Sequence, residues 1–587
     1  MENTHKKNFL FCILLLLFLF NYLQAQRDIY FTDITDTAGV GDETHSPSCA
    51  MADFNNDSLL DIYLCIKNIP NKLYENIDGT NFQNIAPSAN VDDPSTSMDC
   101  SFADINNDGW IDLFVSNEFD SSRVYLNNGN GTYTDITASS GIYTYGLSHS
   151  PSFSDIDGDG DLDLYITNAE GYCWMFINNG DNSFTDSSYW CGTQGMGETF
   201  SCFFGDINND LVDDLYIVSR GSLRNVMYMG MGNGQFIDTT SWSGTQCGNS
   251  AGQSSLLFDY DNDGDLDLYV VNGTFDPDSL YENTGNGQFI NITPHALISD
   301  SSYGRSASCG DFNNDGFQDI IVLNAWGKIS VYQNNGNGTF TDVASTSGLV
   351  YQEDPAGGAV GDIDNDGDLD LYITNITGKN RLYRNMCDDQ NYLKVKLVGT
   401  LSNRFGIGSK IEILNQNDSL ISFREMHIGK SRLAMNPPVA HFGIPYGQIY
   451  SVRVTFPSGI IVDSSNITAE QTITIYETET AINESINNQQ LRARLKCLNS
   501  NLKPPFAFTL FLPENQKIIS TDIYNACGKL IKSLKFREKN KSKISIIWNG
   551  LLENSRIASN GIYFLKTTIV NPEGENYSLN RKLVIIK

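Results

Sequence analysis

Positive charge is scarce in this chain: 38 Lys and Arg stand against 70 Asp and Glu, a net charge of −32 over 587 residues. A polyanion would be repelled rather than neutralised, which excludes nucleic acid as a partner and makes cations the natural ones. Histidine is scarcer still, with six in all and no H-x-x-x-H pair, and the 12 cysteines form no C-x-x-C pair. A helical two-histidine metal motif, a thiolate zinc site and a dithiol redox motif are therefore without support. Long apolar runs are also missing beyond the first residues, so no later stretch is able to span a membrane.

The run at the start, Phe9 to Tyr22, follows Lys6 and Lys7 and leads into Leu23-Gln24-Ala25. A basic start, a short apolar centre and a small residue before Gln26 make an export signal, with cleavage expected after Ala25. Residues 1–25 are then removed, and the mature chain carries no transmembrane anchor. Removal takes Cys12 with it and leaves 11 of the 12 cysteines, an odd number for an oxidising compartment, so at least one is unpaired or pairs between molecules.

What the sequence has in quantity is one acidic loop, repeated. The segments DFNNDSLLDIY, DINNDGWIDLF, DIDGDGDLDLY, DINNDLVDDLY, DYDNDGDLDLY, DFNNDGFQDII and DIDNDGDLDLY recur at intervals of 51 to 53 residues. Each offers oxygen side chains at positions 1, 3, 5 and 9. These are Asp53, Asn55, Asp57 and Asp61 in loop 1, then Asp104, Asn106, Asp108 and Asp112 in loop 2. Loop 3 has Asp155, Asp157, Asp159 and Asp163, and loop 4 has Asp206, Asn208, Asp210 and Asp214. Loop 5 has Asp259, Asp261, Asp263 and Asp267, and loop 6 has Asp311, Asn313, Asp315 and Asp319. Loop 7 has Asp362, Asp364, Asp366 and Asp370. Converging carboxylate and amide oxygens with a glycine at position 6 for the tight turn are what a hard cation demands, and without one the carboxylates repel each other. Calcium is the expected occupant, up to seven ions in a structural role, because magnesium keeps its waters and takes fewer protein ligands. Ser58 and Leu211 replace the glycine in loops 1 and 4, which predicts weaker sites there.

An EF-hand begins with the same spacing but needs a glutamate at position 12. Here position 12 is Leu64, Val115, Ile166, Ile217, Val270, Val322 or Ile373, and the residues around it alternate as a strand. After the loop strand, each repeat continues with segments such as Val124-Tyr125-Leu126, a hairpin signal at Asn128-Gly129-Asn130-Gly131, and Tyr133-Thr134-Asp135-Ile136. Four short strands in about 51 residues make one propeller blade, and seven blades make a closed ring. The seventh repeat ends at Asn385 without its last strand, while an orphan copy, Phe31-Thr32-Asp33-Ile34-Thr35, stands before loop 1. That orphan is expected to complete the seventh blade and remove the open sheet edge. Cys49, Cys100 and Cys202, each four residues before its loop, read as one small buried position reused in three blades.

These loops and blades resemble the FG-GAP/VCBS repeats of integrin-α-type propellers, a resemblance that implies calcium in the loops and is poorly specific for activity. From Asn391 a different β-rich pattern begins, with Tyr392 to Leu397, Ser402 to Ser409, His441-Phe442-Gly443 and Phe456-Pro457-Ser458-Gly459. It is similar to the ASPIC/UnbV domain of the cartilage acidic protein-like family, with Phe456 where tryptophan is usual. Arg404, Arg424, Glu425, His427 and His441 within it read as fold-supporting ion pairs and turn contacts. Residues 479–506 read as a linker, and from Leu491 onwards 17 Lys and Arg face 6 Asp and Glu, a reversal of charge that marks a separate module. Ile523-Tyr524-Asn525, Trp548-Asn549-Gly550, Gly561-Ile562-Tyr563 and the terminal Lys582 to Lys587 resemble the sorting domain of the type IX secretion system. That resemblance implies export by the type IX machinery to the outer surface of a Bacteroidota-type bacterium, or release from it.

The expected architecture is all-β: a seven-bladed propeller over 26–390, a small β-rich domain over 391–478, a linker, and a C-terminal β-sandwich over 507–587. The expected function is calcium-dependent binding or adhesion at the cell surface, to a glycan or another protein. Loops rich in Tyr, Ser and Gly, Gly141 to Ser148 and Tyr189 to Phe200, are the candidate contacts. No catalytic residue is assigned. The alternative, a carbohydrate-active lyase or dehydratase of the kind some such propellers host, needs a base and a charge stabiliser in one pocket. His45 and His149, both in His-Ser-Pro-Ser, read instead as residues at the entry strands of their blades.

Overall fold

The computed structural model describes residues 28–477, apart from 194–197, 221–223, 246–251, 274–275, 350–352, 388–390 and 429–431, together with strands between 494 and 585. The export signal, much of the last module and most of the expected linker 479–506 lie outside the described residues, but Arg494–Cys497 within that linker is a strand paired with Phe506–Phe511, so the last module begins before residue 507. The chain divides into two compact units, Met1–Thr480 and Ala481–Lys587.

Seven antiparallel sheets make up most of the first unit. In blade 2 the strands are Ser97–Ala103, Asp112–Asn117, Arg123–Asn127 and Tyr133–Asp135, in that order from the axis outwards. The other blades repeat this plan. Innermost strands touch in succession around the circle, and that of blade 7, Asp354–Gly361, touches that of blade 1, Ser48–Ala52, so the ring closes. The orphan segment does what the sequence predicts: Phe31–Asp33 is the outer strand of blade 7, with Phe31 opposite Asn385 and Asp33 opposite Tyr383.

Alternation within each strand sends one set of side chains into each inter-blade seam. Tyr63, Tyr165, Tyr216, Tyr269 and Tyr372, which stand at the same place after each loop, are fully buried there. Cys49, Cys100 and Cys202 are buried free thiols, cross-strand neighbours of Leu64, Val115 and Ile217 in turn, which is the reused position expected of them. A helical turn not foreseen in the sequence, such as Ala86–Ala89 or Thr293–Ala296, follows the outer strand of several blades.

The region after the ring forms two further sheets. One has strands Tyr392–Val398, Ala440–Gly443 and Gln471–Tyr476, the other Lys410–Leu414, Leu420–Glu425, Tyr450–Thr455 and Ile461–Ile467. They pack on the face of the ring that carries the seven acidic loops, as a cap. Between them the chain leaves the cap and enters the ring's axis. Ile428 bridges Phe153 of blade 3, and Ala434 and Met435 add a short parallel strand to Cys49 and Ala50 of blade 1. Leu433 donates its amide N–H to Asp99 of blade 2, and Ser306 of blade 6 donates to the carbonyl of Arg432. Arg432 also stacks on Phe200 of blade 4 and bonds Gln253 of blade 5, while Asn436 accepts the amide of Val360 in blade 7. One axial segment thus contacts all seven blades. The second unit holds a three-stranded and a four-stranded antiparallel sheet, an all-β composition like the first.

Candidate functional site: seven acidic loops under a cap

Each acidic loop joins the first strand of its blade to the second, and its geometry repeats around the ring. Positions 4 and 6 both have a left-handed backbone. Position 6 is glycine in five loops, with φ from 89° at Gly109 to 102° at Gly316, while Ser58 and Leu211 hold the same turn at φ 75° and 64°. In that turn the amides of positions 5 and 6 donate to the aspartate at position 1, as Asp108 and Gly109 do to Asp104 at 3.1 and 2.8 Å. Leu211 still donates to Asp206, so the loops without glycine keep their shape at a backbone cost of roughly 1–2 kcal/mol each.

The aspartate at position 9 is a buried staple in every blade. Asp112 accepts the amide of Ile105 at 3.0 Å and that of Asn127 at 2.8 Å, and Asp61, Asp163, Asp214, Asp267, Asp319 and Asp370 repeat the pair of bonds. Burial, which outweighs these hydrogen bonds, pushes the Asp61 and Asp112 carboxyls up to about 8. The Asp163 and Asp267 carboxyls also stand well above the ordinary carboxylate range, raised by burial and then by neighbouring carboxylates. A loop full of carboxylates that resist ionisation alone is a loop whose ionised form needs a cation.

Three loops bring their carboxylates together most closely. Asp155, Asp157 and Asp163 in loop 3, Asp259, Asp261 and Asp263 in loop 5, and Asp362, Asp364 and Asp370 in loop 7 each offer ligand atoms within 4.8 Å of one another. In loop 5 the buried Oδ1 of Asp261 accepts no hydrogen bond. An all-oxygen donor set with an open buried oxygen fits a hard cation such as calcium. In loops 1, 2 and 6 position 3 is asparagine, and its amide nitrogen donates to the aspartate at position 5, at 2.9 Å for Asn55 and 3.0 Å for Asn106 and Asn313. Asn208 in loop 4 hydrogen-bonds Asp210 likewise and also turns its amide nitrogen to Met229.

The protein supplies cations of its own in direct ion pairs to loops 4 and 7, while Arg424 acts on Asp259 and Asp311 of loops 5 and 6 at longer range. Lys410 of the cap lies 2.8 Å from Asp206 in loop 4, and Lys394 lies 2.5 Å from Asp362 in loop 7, both pairs buried. Arg384, on the third strand of blade 7, adds contacts of 2.6 Å to Asp364 and 2.9 Å to Asp366. Blades 1 and 5 carry Glu75 and Glu282 at that register, so loop 5 gains a further acid where loop 7 gains a base. The remaining cap contacts are polar and local: Arg404 donates its amide to Asn107, Ser422 donates to Asn262, and Gly443 donates to Asp311. His441 bonds the carbonyl of Gly367 at 2.8 Å, and His427 lies 3.5 Å from Glu425 beside Phe203, so both histidines lie where the cap meets the ring, a contact the sequence did not show.

Two sets of asparagines escaped sequence reasoning, although each leaves a mark. Position 4 is asparagine in six loops, and its side chain reaches the neighbouring loop: Asn107 bonds the carbonyl of Gly160 and Asn365 that of Ser58, at 3.0 and 2.9 Å. The other set ends the third strand. Asn127 bonds the carbonyl of Phe54 in the preceding blade at 2.8 Å, and Asn76, Asn178, Asn283, Asn334 and Asn385 do likewise. Blade 4 has Gly230 there, and Gly234 takes over the carbonyl of Ile156. The signal was a recurring Asn just before each hairpin, read only as turn chemistry.

Of the histidines in the sequence reading, His149 lies in the inner strand Ser148–Ser154, buried against Phe200, whereas His45 is exposed and precedes its strand, a correction to its placement. The sequence also holds a G-x-S-x-G phrase, Gly248 to Gly252; Gly252 opens the inner strand of blade 5 and the rest lies outside the described residues. It precedes a strand instead of joining a strand to a helix, which is not the setting of a nucleophile elbow.

A closed ring of seven four-stranded sheets, each with an acidic loop at the same corner, defines a β-propeller of acidic-loop repeats. The model of the FG-GAP-like repeat matches six overlapping windows, 53–115, 104–166, 155–217, 212–270, 259–322 and 311–373, and the ASPIC and UnbV model matches 399–482. The chain belongs to the FG-GAP-like repeat family, and an ASPIC and UnbV domain forms its cap. Among curated proteins it is similar to cartilage acidic protein 1 of Mus musculus, 28% identical over 43% of this chain and 41% of that protein. It is also similar to cartilage acidic protein 1 of Xenopus tropicalis, 23% identical over 50% of each. The matches span half or less of these relatives' length. Among solved structures, Saccharomyces cerevisiae Sqt1 aligns over 62% of this chain and 99% of its own at 12% identity, with a TM-score of 0.38. Among the described residues no helix is long and apolar enough to cross a membrane.

Proposed function

We propose that this is an extracellular or cell-surface calcium-binding propeller that binds a glycan or a protein through the face opposite the cap. The observation that carries the reading is an aromatic patch between blades 2 and 3. Second strands begin at the acidic loops, so the turns that follow them lie on the far face. There Phe119, Tyr143, Tyr145 and Tyr172 are 74%, 68%, 64% and 61% exposed. Tyr143 and Tyr145 belong to the Gly141–Ser148 stretch singled out in the sequence. Phe119 is held at φ 58° by a bond from its amide to the carbonyl of Gly146, and Tyr145 packs edge-on against Trp174. Four large aromatic side chains in water, one of them on a strained backbone, are a costly arrangement that a binding partner would repay. Aromatic faces stack on sugar rings and anchor protein interfaces alike.

In this reading calcium sits in the loops and stiffens the ring, with Asp155, Asp157 and Asp163 and with Asp259, Asp261 and Asp263 as the strongest ligand sets. Export through the type IX machinery belongs to the same proposal and rests on the resemblance of the last module. Glycan-array binding by the full chain tests it, with calcium and again with chelator. Binding that Tyr143→Ala with Tyr145→Ala abolishes supports the reading, and an array and surface-protein screen blank in both conditions sinks it.

A further inference from the structure

A cavity of about 550 Å³ lies between the cap and loops 1, 6 and 7, well inside the size range of small-molecule sites. Its wall is mixed, and the apolar part includes Leu60, Ile111, Val360, Leu397, Phe405 and Val439. Its lining includes residues of the parallel pair Tyr392–Val398 and Gln471–Tyr476, where Lys396 faces Thr474 in register and Thr472 and Thr474 are exposed.

The charged groups in the lining are unequally engaged. Asp53 accepts the amides of Asp57 and Ser58, Asp311 those of Asp315, Gly316 and Gly443, and Asp362 is paired with Lys394 while its Oδ1 stays open beside it. The bases are less satisfied. Lys396 makes no hydrogen bond or ion pair among the described residues, although the charge of Asp53 is within reach. Arg424 is buried over the ring of Phe442, donates from Nη1 to Ser422 and the carbonyl of Phe423, and leaves Nη2 without an acceptor. The carboxylates nearest to it, Asp311 and Asp259, are committed to their loops. A buried guanidinium nitrogen without an acceptor is costly, and a second cation, Lys396, lines the same cavity.

We propose that this cavity binds a small organic acid, its carboxylate or sulfonate head held by Lys396 and Arg424 and its aromatic or branched body against the apolar part of the wall. The site is separate from the aromatic patch and does not depend on it. The test is a fluorescence titration of the full chain with 8-anilinonaphthalene-1-sulfonate and with the uncharged N-phenyl-1-naphthylamine. One saturable site is expected, with the sulfonate bound about tenfold more tightly than the neutral probe. Thr474→Trp, which puts a bulky ring into the lining from an exposed position, should abolish it. Lys396→Met should remove the preference for the sulfonate while the neutral probe binds as before, and melting should be unchanged in both variants. Absence of a saturable site, equal binding of the two probes, or binding that survives both substitutions overturns the proposal.

Discussion

Loops 5 and 4 begin from the same repeat and fold to the same turn, yet their carboxylates are satisfied in opposite ways. Loop 5 gathers Asp259, Asp261 and Asp263 and keeps an oxygen of Asp261 open, whereas Asp206 of loop 4 is already paired with the buried Lys410. Loop 7 sides with loop 4, through Lys394 and Arg384. A repeated acidic motif therefore does not carry a repeated charge balance; the neighbours of each copy decide whether it needs a cation from outside.

The sharpest way to break this comparison is to remove one carboxylate of each kind. Asp206→Ala removes the ion-pair partner of the buried Lys410 ammonium, leaving it Asn209 as hydrogen-bond acceptor, and should cost about 3 kcal/mol of stability with or without calcium, read from denaturant melts in both conditions. Asp261→Asn should do the reverse of a structural lesion: without calcium it relieves repulsion and raises stability, with calcium it lowers it. Equal effects in both conditions would remove loop 5 from the cation-binding set.

Chelation is next in size. At millimolar calcium and a dissociation constant near 10⁻⁴ M, a filled site adds about 1.4 kcal/mol. If loops 3 and 5 carry the binding, EDTA should lower stability by roughly 3 kcal/mol, and calorimetry should count fewer ions than seven loops. Seven equivalent ions would refute the distinction.

Glu477 sharpens the comparison from a third side, as a carboxylate satisfied without any cation. It accepts the amides of Thr400, Leu401 and Ser402 and the hydroxyls of Ser402 and Ser458. Burial raises its pKa, but these bonds outweigh burial and hold it below the ordinary value. Its stabilising effect is thus present above the unfolded pKa and is lost as pH falls through the lower, folded one. Glu477→Gln should cost about 1.5–2 kcal/mol at pH 7, and the gap to the wild type should close in acid. The smallest effect belongs to Leu211→Gly, which should stabilise loop 4 by roughly 0.5–1 kcal/mol by releasing its left-handed strain.

How far the sequence reached follows from the range of the interactions. The loops, the hairpins and the closing strand Phe31–Asp33 were legible because each is written in one short segment and repeated. The aspartates at position 9 were legible as oxygens but not as staples, since the amides they accept, such as that of Asn127, lie 15 residues on. Least legible was the cap. Nothing in Lys394 or Lys410 announces that a strand 32 residues after Asp362, or another 201 residues after Asn209, lands on those loops. Contacts between units of different repeat logic leave no periodic trace.

The axial segment from Ile428 to Asn436 has one more consequence. A propeller with an open bore lets water, ions or a substrate pass from one side to the other; here Met435, Leu433 and Arg432 stand in that passage, bonded to its walls. Among the described residues Arg432, Leu433 and Met435 thus occupy the bore, which leaves the two faces of the ring as separate surfaces.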